Sequence, residues 1–190
     1  MNDGNIMNDT APGQGYDAYP LLPLKNVVIF PHTTVTLMVG RPRSLLALEH
    51  ALASAKRLAV MTQRNTGSEE PVPDDLYAVV TLVEVTSYQQ QPDGNYQVIV
   101  EGMCRVSAVR YITTDWLYDV EVDEMAEHGS QGSATEALMR HVLGLFTDFS
   151  RLSQRVLADV LAVAAHISNP GQLADVVAAH VVSEAEQRQQ

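Results

Sequence analysis

The side chains able to do chemistry in this sequence are few and scattered. His32, His50, His128, His141, His166 and His180 never lie three to five residues apart with a cysteine or carboxylate partner, the spacing on which a zinc site is built. Cys104 sits in an apolar run with no histidine nearby in sequence, so it reads as a small buried hydrophobe rather than a nucleophile. The acidic run Asp119, Glu121, Asp123, Glu124 and Glu127 lacks the ligand order and glycine of a calcium-binding loop and reads as a solvated strand edge. His32, directly after Pro31, reads as a group that orients or caps the backbone at a bend. There is no phosphate-cradling glycine-lysine loop, no GxSxG elbow, no HExxH helix and no dinucleotide fingerprint.

Composition narrows the partners. With 12 Lys and Arg against 23 Asp and Glu, the formal charge is −11, the wrong sign for a nucleic-acid or anionic-membrane surface. One cysteine fits a reducing compartment. No apolar run reaches the length of a membrane span, and residues 1–18 lack the pattern of a signal peptide, so cytoplasmic residence is expected.

The elements that would position any site begin at Tyr19. Leu21 to Phe30 and Val35 to Val39 are rich in branched side chains and read as two strands. Pro20, Pro23 and Pro31 confine the first to a sheet edge, a strand start or a bulge, because proline cannot donate to a ladder. Gly40-Arg41-Pro42 opens a helix to about Ala55, with Leu45, Leu48, Leu52 and Ala55 facing the sheet. Arg57 to Gln63 reads as a third strand, and residues 64–75 as a loop. Leu76 to Tyr88 and Asn95 to Met103 form a hairpin about Pro92-Asp93-Gly94, where proline presets one backbone angle and glycine accepts positive φ. Gly102 marks a bulge or bend, after which Arg105 to Ile112 and Trp116 to Val122 supply further strands. In the last strand Tyr118, Val120 and Val122 form the inward face.

The composition turns small and polar over residues 126–133, and beyond it the period becomes helical. Ser133 and Glu136 fit a capping box, and Leu138, Val142, Leu145 and Phe149 mark the packing face of a first helix. Leu152, Val156, Val160, Val163 and Ile167 mark a second helix, and Asn169-Pro170 starts a third. The third is expected to run to Gln190 without a stop signal, which suggests a chain that continues. The division expected is a disordered tail at 1–18, a β-rich unit at 19–125, a linker at 126–133 and a helical bundle at 134–190. The fold class is α+β: a small, twisted, barrel-like β unit of six or seven strands with one helix, then the bundle.

The blocks LPLKNVVIFPH, VGRPRSLLALEHAL, PDDLYAVVTLVEV, PDGNYQVIVEGMCRV and NPGQLADVVAAH occur in the order found in the amino-terminal domain of the Lon ATP-dependent proteases, which this chain resembles from about Leu21 to its end. Asn169 stands where that family usually has aspartate. The resemblance implies a PUA-like β unit and a non-catalytic, substrate-recognising piece of a homohexameric protease. The ATP- and Mg-dependent AAA+ module and the serine–lysine peptidase would lie outside these residues, and no cofactor is expected within them. The implied partners are unfolded, damaged or degron-bearing proteins and other protomers of the hexamer, with neither nucleic acid nor membrane.

The contact surface expected for such substrates is Leu24, Phe30, Pro31 and Met38 along the first strand and bend, with Tyr88, Gln89 and Gln90 at the hairpin tip. Phe30 and Met38 read equally well as core. A structural role in hexamer assembly and a stand-alone adaptor are the competing readings, with a concealed hydrolase behind both.

Overall fold

The structure is a computed structural model that describes residues 16–113, 118–126, 132–153, 156 and 158–189. It is an α+β fold. The strands are β1 (Asp17–Leu24), β2 (Thr34–Val39), β3 (Arg57–Thr62), β4 (Val79–Gln90), β5 (Tyr96–Thr113) and β6 (Tyr118–Glu124). Helix α1 (Pro42–Ala53) lies between β2 and β3, and α2 (Ser133–Ser153), α3 (Ala158–Ala164), α4 (Pro170–Val181) and α5 (Ala185–Arg188) follow the strands.

The strand order is β2–β5–β4–β3–β1–β6, and β6 also pairs β5, so the sheet closes on itself. The long strand β5 makes this closure. Its first half pairs β2, its second half pairs β6, and β4 runs beside it from Val79 to Gln90. Strands this long must bend to close a barrel. The ladder skips Met103 between Leu82↔Cys104 and Val83↔Gly102, so the bulge expected at Gly102 falls one residue on.

Gly102 itself admits the 30–33 turn. A Cβ there would collide with the Phe30 carbonyl, and the backbone of Gly102 receives the His32 N–H at 2.7 Å and donates to Thr33 O at 2.9 Å. His32 has φ 60°, in the left-handed region, so its part in the bend is played by its backbone.

Two buried clusters fill the barrel. Leu22, Leu37, Val39, Leu58, Val85 and Val98 pack with Ala47, Leu48 and Ala51 of α1, and Leu21, Met61, Val80, Val106, Val120 and Val122 form the second. The inward face expected for β6 is the one observed. A third, smaller cluster of Phe146, Val156, Ala164, Leu173 and Val176 holds the helices together.

Several expectations are corrected. The first strand stops at Leu24 rather than Phe30; Asn26 has φ 56°, which breaks the pleat, and the carbonyls of Val27 and Ile29 are taken by the hydroxyls of Thr62 and Thr81, each at 2.6 Å. The two strands read on either side of Cys104 are one. β1 begins at Asp17, inside the segment read as a tail, whose residues 1–15 lie outside the described residues. Trp116 and Leu117 of the last expected strand, and 127–131 of the expected linker, also lie outside them. In α2 the buried positions are Phe146 and Ser150, with Met139, Leu143 and Phe149 partly covered, so of the expected face Phe149 packs on the core while Leu138 and Leu145 are exposed. The third helix ends at Val181, where the Arg188 guanidinium donates to Val182 O at 2.6 Å and Ala179 O at 3.1 Å. That stop is made by a side chain beyond the helix and has no periodic signature. Asn169 caps α4 as expected, accepting the N–H groups of Gly171 and Gln172 at 2.8 and 3.1 Å.

Candidate functional site

Closure of the barrel leaves one seam. On the edge facing β6, β1 is paired only through Asp17 to Pro20, and its second half, Leu21 to Leu24, pairs β3 on the other edge. β2 pairs β5 and no other described strand. Between these two edges lies an open groove of about 390 Å³. Leu22, Pro23, Leu24, Lys25 and Val27 line one wall, Thr36 to Gly40 the other, and Arg41, Ser44 and Glu69 the end. Its floor reaches the core through Leu22, Leu37 and Val39.

The two walls differ in what their backbones offer. Leu24 O accepts from Gln63 N–H at 2.8 Å, so alternation along β1 turns Leu21 and Pro23 toward the seam. Pro23 has no N–H, and its carbonyl is occupied by the Arg41 guanidinium, so that wall has little left to pair. The β2 wall is open. Gly102's bonds to the 32–33 turn and the Gln91–Asn95 bond at the hairpin end set the phase of both ladders on β5. That phase makes Val35, Leu37 and Val39 the bonded partners of β5 and turns the N–H and C=O groups of Thr34, Thr36 and Met38 outward. Those groups have no backbone partner across the seam among the described residues.

Charge at the groove is largely settled within the fold. Lys25 Nζ lies 2.6 Å from Glu69 Oε1, and this hydrogen bond, followed by the lysine charge, holds the Glu69 carboxyl below its ordinary pKa. Arg41 also donates to Gln63 Oε1 at 2.7 Å. Burial lowers its pKa, with Glu69 pulling the other way. Arg41 divides the seam from a smaller pocket of about 110 Å³, where Arg43 lies 4.7 Å over the Tyr118 ring and 3.6 Å from Glu70. The seam lining carries no histidine or cysteine.

The structure divides the residues expected to touch substrate. Leu24 and Met38 line the seam from opposite walls, and Met38 is 64% exposed. Tyr88, Gln89 and Gln90 lie exposed at the β4–β5 hairpin, where the Tyr88 ring sits 6.4 Å from Tyr96. Tyr88 shares the inward pleat side with Val98 and Leu37, yet is 51% exposed because the core ends before it. Phe30 and Pro31 are corrections. Phe30 is 6% exposed beneath the Arg105 guanidinium and Pro31 is fully buried, because glycine at 102 lets this turn press against the barrel. Reading the residues missed Thr34, Thr36 and Arg41. The alternation Thr34-Val35-Thr36-Leu37 does carry the signal of a one-sided edge strand, but the register that opens it depends on Gly102, nearly seventy residues away.

The chain matches the family model described as the ATP-dependent protease La (LON) substrate-binding domain over residues 18–190. It is 34% identical over 170 residues to a Lon protease of Desulforamulus reducens, covering 90% of this chain and 21% of that protein. Against a Lon protease of Rhizobium meliloti it is 35% identical over 176 residues, covering 93% and 22%. The chain thus spans about a fifth of the length of these curated relatives. In fold it is similar to the N-terminal domain of a Mycobacterium avium complex Lon protease, with a TM-score of 0.72 at 16% identity over 91% of this chain and 88% of that one. A Lon N-terminal domain protein from Xanthomonas campestris matches with a TM-score of 0.51 at 15% identity, covering 84% and 95%.

Proposed function

This chain belongs to the ATP-dependent protease La (LON) substrate-binding domain family, and on that footing we propose that it captures unfolded, damaged or degron-bearing proteins for delivery to an ATPase pore and peptidase chamber. The parent protein is then a cytoplasmic, hexameric, ATP- and Mg-dependent serine endopeptidase, and this piece is its non-catalytic receptor. The observation that carries the reading is the seam, an open groove with Leu24 on one wall and Met38 on the other, whose floor is core.

An unfolded chain exposes apolar segments that a native protein hides. Burying such a segment contributes about 25 cal/mol per Å² before ordering costs are subtracted, so a single site of this size binds weakly. Repetition around a hexamer raises the effective affinity without new contacts.

The test is a titration of labelled protein with reduced, carbamidomethylated lysozyme and, in parallel, with native lysozyme. Binding of the unfolded form alone is the expected result. Equal binding of both forms, or of neither, overturns the reading. A second reading, assembly of protomers, is favoured by one observation: Leu138, Leu145 and Leu152 lie exposed at seven-residue spacing along α2. Stable oligomers in light scattering, without affinity for unfolded protein, would establish it in place of the first.

A further inference from the structure

Resting on that reading, we propose that the outward edge of β2 takes up substrate by strand addition. An extended segment of unfolded polypeptide lies in the seam as a seventh strand, bonded through its backbone to Thr34, Thr36 and Met38. Backbone pairing suits a receptor that must accept many sequences, because every chain carries the same N–H and C=O groups. An exposed edge of this kind is ordinarily protected. Here it is short, flanked by Gly40 and the 30–33 turn, and the groove along it is bordered by the Lys25–Glu69 pair.

The geometry also states which side chains fit. Residues of the added strand on the inward pleat side meet Leu22, Leu37 and Val39 and are therefore apolar; alternate residues lie outside beside Thr36 and Met38. Charge sets the end of the segment. One row across the sheet reads Arg57, Glu84, Glu101 and Thr34. Glu84 and Glu101 are exposed like charges directly opposed, a destabilising arrangement, and neither makes an ion pair among the described residues. Arg57 stands opposite Glu84, while Glu101 has only Thr34 on its other side. A lysine or arginine of the added strand opposite Thr34 reaches Glu101 across roughly 10 Å, two strand spacings. The occupant is thus an extended apolar segment with a basic residue at that end, drawn in by a chain of formal charge −11.

Thr36→Pro is the decisive variant, since proline on an outward edge position removes a donor that the β2–β5 ladder does not use. It is expected to keep the wild-type melting temperature and to weaken binding of reduced, carbamidomethylated lysozyme about tenfold or more. Unchanged binding would overturn strand addition while leaving the receptor reading intact; absence of binding by the wild-type protein would overturn both. A second arm does not depend on how the variant folds. It uses an eight-residue peptide of alternating valine and threonine ending in lysine. N-methylation of one alternate set of amides is expected to abolish its binding and of the other set to leave it, and equal effects of the two sets would sink the proposal. Replacing the terminal lysine by glutamate is expected to weaken binding to wild type and strengthen binding to Glu101→Lys; no change of preference overturns the charge assignment. A protein that pairs with its own copy through this edge, becoming monomeric on Thr36→Pro with capture unaltered, overturns the proposal in favour of a second copy as occupant.

Discussion

The strands from Asp17 to Glu124 and the helices from Ser133 onward solve the same problem to different degrees. The β-rich region curls round two buried clusters and leaves one seam open along a single edge. The helical region gathers a core of Phe146, Val156, Ala164, Leu173 and Val176 and leaves Leu138, Leu145, Leu152, Val163 and Val181 facing outward. A further apolar hollow of about 230 Å³, lined by Val142, Leu145, Phe146, Phe149, Val177 and Val181, stays open on its flank. A closed sheet satisfies its backbone and side chains together, so its openings are local and specific. A few short helices each need a partner for one stripe, and here there are more stripes than partners.

The comparison breaks first at Gly102. If the barrel is packed as tightly as the Phe30–Pro31 turn implies, Gly102→Ala must push backbone against backbone, with nothing flexible to yield. The expected cost is about 3–4 kcal/mol, read as a fall in the urea midpoint; a variant as stable as wild type would mean the turn is loosely held. Phe146→Ala probes the other side. Phe146 is 2% exposed at the centre of the small helical core, and truncation should cost about 3 kcal/mol. Hydrogen exchange should locate the loss in α2, α3 and α4 while β4 and β5 keep their protection.

Legibility followed the same division. Strand positions, the hairpin and the inward face of β6 were readable because alternation has a period of two and each face announces itself. The seam was only half readable. Leu24 and Met38 could be nominated from apolarity and prolines, but Phe30 and Pro31 carry the same signal and are buried, because Gly102 and Arg105 come from distant sequence to cover them. In α2 two adjacent stripes are apolar, 138/142/145/149 and 139/143/146, the second continued by the buried Ser150. Periodicity finds both and cannot say which is buried more deeply: Phe146 and Ser150 are buried, while Phe149 of the other stripe packs on the same core from its edge, and Val142, Leu145 and Phe149 border the hollow shared with Val177 and Val181 of α4. The end of α4 depends on Arg188 reaching back, which no local rule encodes.

The two regions are tied by a clamp whose removal should cost less than Gly102→Ala or Phe146→Ala. Arg105 on β5 bonds both carboxylate oxygens of Asp175 on α4, one at 3.0 Å, with the Phe30 ring 5.7 Å from the guanidinium. Asp175 is buried, whereas the Arg105 side chain keeps 31% of its surface in water. Asp175→Ala therefore leaves a cation that solvent can partly recover, and about 2 kcal/mol is expected. Arg105→Met should cost more, because it strands a carboxylate with little access to water. Equal losses, measured side by side in urea, would mean that water reaches Asp175 as easily as Arg105.

The smallest effect expected is also the sharpest test of what the helical surface is for. Leu152 is 87% exposed, so Leu152→Ser removes a side chain that buries almost nothing and should change stability by less than about 0.5 kcal/mol. Leu145 and Leu138 stand one and two heptads before it on the same stripe, and that spacing suits a second helix packed alongside. If the stripe meets another copy, serine at all three positions will leave the melting temperature of the dilute protein unchanged and lower its mass in light scattering at high concentration. If single substitution at Leu152 already destabilises the dilute protein, the stripe is covered within the chain itself, and the contrast between a closed barrel and an open helical face fails.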